Sequence, residues 1–318
     1  MQRWGTTASG KTRFRCRRCK TSRIRRRPDH AHRCWQRAFA DWLVSGLSLT
    51  EIARRHGVGF STLRHHFRDH WSPAPQPVIP GGVQGIILDG TSVMKRHRVL
   101  LVVQDVRRYP VTWAFAERET YDSWRGVLES LRASGIQPRF IVCDGHTGLL
   151  KALRKIWPEV LVQRCVVHVT RQARLDLTQH PKTDAGVNLL RLVKKLSSIR
   201  TRRQRRRWLR TYRQWLRRHD AFLKERTQNP AGRRRWWYTH RKLRAVRSLL
   251  SNSLPDLFHY VRYPEIPRTT NHVEGGINSR IKDLYRRHRG LSLERKTILT
   301  AHYLASRQTP KKPTRNEH

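Results

Sequence analysis

GIILDGTSVMKRHRVLLVVQDVRRYPVTWAFAE (85–117), followed by RFIVCDGHTGLLKALRKIWPEVLVQRC (139–165), decides the fold. GIILD (85–89) and VLLVVQDV (99–106) are short apolar runs with turn residues around them, and YPVTWAFAE (109–117) alternates in part and carries aromatics. The pattern predicts three consecutive strands. Between the two stretches, TYDSWRGVLESLRASG (120–135) puts Trp124, Val127, Leu128 and Leu131 on one face, with Thr120 placed to cap a helix and Gly135 to end it. RFIVCDG (139–145) reads as a buried strand, HTGLLKALRKIWP (146–158) as a helix stopped by Pro158, and VLVQRC (160–165) as another strand. Three strands and then alternating helix and strand make an α/β core.

Outward from that core the pattern changes on both sides. Residues 1–34 are basic and poor in aliphatics, and from Ala38 to Trp71 the apolar spacing is helical, which sets apart a second segment, 35–71. SPAPQPVIPGG (72–82) has four prolines and two glycines and reads as a linker, 72–84. After the first part of the core (85–168), residues 169–265 carry almost no strand signal. RLVKKLSSIRTRRQRRRWLRTYRQWLRRHDAFLKERT (191–227) is helical and very basic, and RRRWWYTHRKLRAVRSLLSNSL (233–254) continues in that style. The expectation is an all-α insertion that interrupts the core. The second part of the core, 266–307, contains NHVEGGINSRIKDLYRRH (271–288), a helix despite its Gly pair, and a last helix LERKTILTAHYLASR (293–307). Residues 308–318 read as a disordered tail.

Composition narrows the partner. The 318 residues hold 68 Lys and Arg against 22 Asp and Glu, a net charge of +46. A charge of that size needs a polyanion, and nucleic acid is the default. No apolar run is long enough for a transmembrane helix, the N-terminus MQRWGTTASGKTRFRC lacks the apolar core of a secretory signal, and five cysteines are too few and too uneven for a disulfide scaffold. A cytoplasmic protein working on nucleic acid remains.

LSLTEIARRHGVGFSTLRHHF (47–67) fits a helix-turn-helix. Thr50 caps a first helix with Ile52 and Ala53 inside, Gly57 supplies the turn, and Ser61 or Thr62 starts a second helix that exposes Arg64, His65, His66 and Arg68 to a DNA groove. An ordinary helical hairpin is the bland alternative. RFRCRRCK (13–20) carries Cys16 and Cys19, a C-x-x-C knuckle that orients two thiolates toward one Zn²⁺. A structural site needs four ligands, and only His30, His32 and Cys34 of PDHAHRC (28–34) are near in sequence. A zinc half-site and a pair of free cysteines in a frayed arm therefore both stay open. RRRWWY (233–238) sets aromatics among arginines, which suits stacking on an unpaired base, but Trp236 and Trp237 read more simply as core of the insertion. RRQRRRWLR (202–210) reads as a solvated, DNA-facing surface.

Three carboxylates carry the chemistry. Asp89 ends a buried strand in ILDGT, Asp144 ends another in IVCDG, and Glu274 lies on the helix that starts with Asn271. Each Asp alone reads as a turn residue before Gly. Three acids in order on this plan, in a chain where acids are scarce, point instead to a shared Mg²⁺ site for phosphodiester chemistry.

In LDGT with Asp89, CDGH with Asp144, RCVVH with Cys165 and His168, and TTNHVEGGINSRIK with Glu274, the chain resembles bacterial insertion-sequence transposases of the Mutator-like type. The likeness spans about residues 85–305 and rests on Cys165-x-x-His168 and on Asn271-x-x-Glu274-x-x-x-Asn278. It implies an RNase-H-like catalytic core with a DDE triad. Asp89, Asp144 and Glu274 would hold Mg²⁺ or Mn²⁺, and His168 and Cys165 would stand beside them to position DNA. Asn271, Asn278 and Arg280 would contact DNA. Water would hydrolyse the element's 3′ end, and the freed 3′-OH would attack target DNA, with no covalent enzyme–DNA link. The resemblance further implies a homo-oligomer on DNA, at the bacterial nucleoid and away from membranes. Such proteins carry an N-terminal zinc ribbon with two cysteine knuckles, whereas this chain opens after the first would have passed; the expectation is a C-x-x-C encoded in frame upstream of Met1. Two other classes stand as alternatives: a non-catalytic DNA-binding protein, domesticated or decayed, and an RNase-H-like nuclease.

Overall fold

The computed structural model describes residues 1–24, 28–71, 74–92, 98–228 and 235–308, with the backbone alone for residues 28–33, 44, 272 and 274. They form two compact units. One joins Met1–Pro75 to Leu284–Tyr303, and the other joins Gln76–Asp283 to the residues from Leu304 onward. The sequence reading assigned 266–307 wholly to the core. Within the first unit, however, Trp42 packs edge-on against His288 (4.6 Å) and Phe39 against His302 (5.3 Å). Single ring contacts of this kind leave no trace in periodicity.

The first unit opens with a three-stranded antiparallel sheet, β1 (Gln2–Thr6), β2 (Thr12–Arg15) and β3 (Ser22–Ile24), where a basic arm was expected. Three helices follow: α1 (Pro28–Ser45), α2 (Leu49–Arg55) and α3 (Phe60–Arg68). Ala38, Phe39, Trp42 and Leu43 of α1, Ile52 and Ala53 of α2, and Leu63 and Phe67 of α3 are buried. The cap of α2 is Ser48, not Thr50. Its hydroxyl accepts from the Glu51 N–H while the Glu51 carboxylate takes the Ser48 N–H, a reciprocal capping box. Gly59 precedes α3, which begins at Phe60.

The second unit is mixed α/β. Its strands are β4 (Gly85–Ser92), β5 (Val99–Asp105), β6 (Pro110–Ala116), β7 (Phe140–Cys143) and β8 (Leu161–Arg164). They form one sheet in the order β6-β5-β4-β7-β8, antiparallel from β6 to β4 and parallel from β4 to β8. Helices α4 (Tyr121–Ala133) and α5 (Thr147–Ile156) supply the two crossovers. Thr120 caps α4, and Gly135, at φ +78°, follows its end. Trp124, Leu128 and Leu131 of α4 and Leu149, Ala152 and Leu153 of α5 pack on Ile86, Leu88, Leu101, Val103, Ile141 and Cys143. The residues between these on the strands, Ile87, Leu100, Val102 and Val142, are buried too, so the sheet is covered on both faces.

After β8 come α6 (Val166–Leu177), α7 (Asp184–Leu196), α8 (Arg202–Arg218) and α9 (Asp220–Lys224). The insertion is not all-α. Arg226–Gln228 (β9) and Trp236–Tyr238 (β10) form an antiparallel ribbon before α10 (Arg241–Ser253). Three residues per strand are too few to show alternation. Trp236 and Trp237 are therefore neither on a helix nor in a core; the core of the insertion is Trp208, Tyr212 and Trp215 of α8 with Leu189 and Val193 of α7. The chain returns through a π-helical turn (His272–Asn278) into α11 (Ser279–Arg287) and ends its described part with α12 (Leu293–Gln308). Gln308 is still anchored, its amide bonding the carbonyls of Val78 and Val111. The rest of the tail read as disordered lies outside the described residues.

The packing of α4 on the sheet gives a first prediction. Leu128→Ala leaves a void under a fully buried side chain and should cost about 2–5 kcal/mol. Glu129→Ala, at an exposed position of the same helix, should stay within about 0.5 kcal/mol of wild type. Urea unfolding of both variants checks the pair.

Candidate active site

Strands β4 and β7 run parallel with Leu88 opposite Cys143. Each acid comes one residue after that last pair: Asp144 just past β7, and Asp89 inside β4, which runs on beside β5 to Ser92 and so does not end at Asp89 as the sequence suggested. Asp89 is 3% exposed. Its Oδ2 accepts from Nδ2 of Asn278 at 2.7 Å, a bond that ties the π-helical turn to β4. Asn278 is 4% exposed, and its own Oδ1 is buried without a hydrogen-bond partner among the described residues. This residue was expected to meet DNA; it is instead a buried support for the first acid. Asp144 Oδ1 accepts from the His146 N–H at 2.9 Å, which sets the carboxylate over the turn, and Gly145 takes φ +89° where Arg164 crowds against its α-carbon. The two Asp-Gly pairs thus need glycine for different reasons. Gly145 makes a left-handed turn, while Gly90 lies within β4 and leaves room for a carboxylate.

That carboxylate is Glu119. It fills the space that a Cβ on Gly90 would take. Its Oε1 accepts from Trp124 Nε1 at 2.8 Å and lies 3.9 Å from His146 Nδ1. Burial pushes its pKa up against the Trp124 bond, the charge of Asp144 pushes it further, and His146 and His168 pull it back in part. Sequence reasoning passed over Glu119, although the rule that singled out Asp89 and Asp144, an acid just past a strand end, applies to it as well.

The Cys165-x-x-His168 pair stands where β8 passes into α6. The Cys165 N–H bonds the carbonyl of Cys143, the residue before Asp144, at 2.7 Å. The Cys165 sulfur accepts from the Thr270 N–H at 3.3 Å, and the Thr270 hydroxyl lies 3.5 Å from that sulfur and 3.3 Å from His168 Nδ1. Val166 N–H donates to the Arg268 carbonyl at 3.0 Å. The motif thus clasps the returning chain four residues before Glu274. Burial raises the Cys165 thiol, but hydrogen bonds from His168 and Thr270 outweigh it and hold its pKa below the ordinary value. Glu274 lies in the π-helical turn between Val273 and Gly275, and its side chain is outside the described residues.

Oxygen donors suit Mg²⁺ or Mn²⁺, and Asp89 and Asp144 supply them side by side, with the partnerless Oδ1 of Asn278 near the first. Among the described residues, no three His, Cys, Asp or Glu side chains form a group able to hold a metal ion. That includes zinc. Cys16 and Cys19 flank the turn between β2 and β3, where a bond to Thr21 leads the causes that lower the Cys19 thiol to about 7; Cys34 is exposed, and the side chains of His30 and His32 are outside the described residues.

On α3, Ser61, Thr62, Arg64, His65 and Arg68 are exposed, and an Arg68 nitrogen lies 2.6 Å from His65 Nδ1. His66 is half-buried, stacked on Trp35 at 4.1 Å, and so is not part of that surface. Trp236 is exposed under Arg226 (4.0 Å), with Tyr238 on its face of the ribbon, while Trp237 takes the other face. Asn271 and Arg280 are exposed. Among the described residues no helix is long and apolar enough to cross a membrane.

Residues 89–229 match the model of the family described as transposase, Mutator family, which bears out the resemblance seen in the motifs. One relative, a "Probable transposase for insertion sequence element" of Corynebacterium diphtheriae, is 35% identical over 91 residues, 27% of this chain and 26% of the relative. The transposase for insertion sequence element ISRM5 of Rhizobium meliloti is 36% identical over 85 residues, 26% of this chain and 21% of that protein. The chain thus matches about a quarter of the length of these relatives. A chain of the simian T-cell lymphotropic virus intasome in complex with PP2A regulatory subunit B56 gamma is 12% identical over 52% of this chain and 69% of that one, with a TM-score of 0.21, too low to bear on the fold.

Glu119 yields a pH prediction. A carboxyl whose folded pKa is raised binds its proton more tightly when folded, so stability falls as pH climbs from the unfolded carboxylate range through the raised value. Glu119→Gln keeps an acceptor for Trp124 and removes that loss. The variant should gain melting temperature over wild type at pH 7.5 and lose the advantage at pH 4; thermal melts at the two pH values check this.

Proposed function

We propose that the chain is a DNA transposase that cleaves the ends of its element and joins the 3′ ends to target DNA by metal-dependent phosphoryl transfer. The observation that carries this reading is the pair Asp89 and Asp144, each one residue past the last pair that β4 shares with β7, with Asn278 tying Asp89 to the turn that holds Glu274. The strand order supports an RNase-H-like core: three consecutive antiparallel strands, then helix, strand, helix, strand, with the insertion after β8. The relatives named as transposases support the reaction class.

On this reading Asp89, Asp144 and Glu274 would hold Mg²⁺ or Mn²⁺, which when bound offsets charge on the attacking and leaving oxygens of a phosphodiester. Asn278 fixes the rotamer of Asp89, and the His146 N–H fixes that of Asp144. The clasp of Cys165 and His168 on Thr270 sets where the turn bearing Glu274 begins. In the first step a water oxygen bonds to phosphorus and the 3′ oxygen leaves as a 3′-OH. In the second, that 3′-OH attacks a target phosphodiester and displaces the target's own 3′ oxygen. The exposed residues of α3, led by Arg64 and Arg68, would dock an element end in the major groove, and phosphate contacts from the basic surface would supply most of the affinity.

Asp89→Ala and Asp144→Ala should each abolish strand cleavage of a labelled element end, by more than about 1000-fold, while a gel shift shows end binding at wild-type strength or slightly tighter. Chelation by EDTA should stop wild-type cleavage, and added Mn²⁺ should restore it. Cleavage that persists in either variant sinks that residue's role. Binding without cleavage in the wild type would mark a DNA-binding protein with no catalysis.

A further inference from the structure

An open cleft of about 1110 Å³ runs beside α6 and α7 and reaches the π-helical turn. Thr170, Arg171 and Arg174 of α6, Lys194 of α7, and Asn271 and Gly275 of the returning chain line it, and among the described residues none of the lining is Asp or Glu. The Thr170 hydroxyl oxygen is buried without a hydrogen-bond partner among the described residues. Asn271 and Gly275 are four residues apart, one turn of the same short helix from which Asn278 reaches Asp89. One face of this turn therefore supports the first acid, and another forms a wall of the cleft.

Among the described residues nothing crowds the Gly275-Gly276 pair. A Cβ built on either glycine meets no atom within 4 Å, and neither has a positive φ. Glycine inside a helix is unfavourable against alanine, so a bare backbone at Gly275 points to something outside the chain that comes close. A polyanionic strand fits: its phosphates meet Arg174 and Lys194, the Thr170 hydroxyl offers a donor, and Gly275 lets the backbone pass onto the carboxylates.

We propose that this cleft binds the sugar–phosphate backbone of the DNA strand being cut, with Gly275 the point of closest approach. The inference rests on the transposase reading and names the path by which the strand reaches Asp89 and Asp144. The glycine pair allows a test that does not depend on misfolding. Gly275→Leu and Gly276→Leu both enter open space, and both should melt at or above the wild-type temperature. With DNA ends bound, Gly275→Leu should cleave at least about 10-fold more slowly, and Gly276→Leu, which does not line the cleft, should cleave as wild type. Equal rates for the two variants, fast or slow, would overturn the proposal. A second measurement works even if wild type does not cleave. Photo-crosslinking benzoylphenylalanine replaces Leu175, 68% exposed at the cleft, or Val187, 40% exposed on α7 outside it. Irradiated with bound DNA, the first should crosslink and the second should not. No crosslink at position 175 would refute the cleft, whereas a wild type that crosslinks there but never cleaves would refute the transposase reading alone.

Discussion

The parallel pairing of β4 with β7 sets everything at the site. Leu88 lies opposite Cys143, and both side chains are packed under α4 and α5, so the register is held by burial as well as by backbone hydrogen bonds. A slip of one residue would turn one strand's side chains to the opposite face of the sheet, away from the partners they pack on, and it would also part Asp89 from Asp144. The hydrophobic effect that makes the sheet therefore also makes the acid pair, and the pair needs no side-chain contact of its own. In a chain of net charge +46, a short segment of buried backbone is what keeps two acids together.

The second constraint is the return of the chain after the insertion. Residues 166–265 leave the sheet at β8 and come back beside it, and three attachments fix the return: Val166 to Arg268, Cys165 to Thr270, and Asn278 to Asp89. Cys165 serves both sides, since its N–H holds the carbonyl before Asp144 and its sulfur holds the residue four before Glu274. Gln163 adds a fourth point, its buried amide bonding the Leu257 carbonyl and accepting from the Tyr260 N–H. A large insertion is compatible with a tight site because its two ends are tied within a few residues of β8. The C-x-x-H pair, whose spacing alone suggests a metal, is here a fastening between distant parts of the chain.

The core strands were legible because each is a continuous apolar run between turn residues, and the helices α4 and α5 because their apolar spacing is strict. The first three strands were not legible: β1 is exposed along its whole length, so no alternation marks it. The β9–β10 ribbon escaped for the same reason, with three residues a strand amid arginines. Asp89 and Asp144 stood out as acids after buried strands. Glu119 satisfied the same rule but sits between a strand and a helix cap, where an acid reads as a solvated turn. Asn278 was visible only as part of a motif; that it is buried against Asp89, 189 residues away, is a tertiary fact. The packing of Phe39 and Trp42 against His302 and His288 is another, made by single rings that no local pattern predicts.

On the proposed function, Asp89 and Asp144 would together hold the divalent ion on which strand cleavage depends. Crystals of the protein soaked in Mn²⁺ and measured for anomalous scattering test it most directly. The account predicts a peak within about 2.0–2.3 Å of a carboxylate oxygen of each, lost in Asp144→Ala. A well-ordered site with no peak beside these two residues, or a peak bound without either of them, would contradict it.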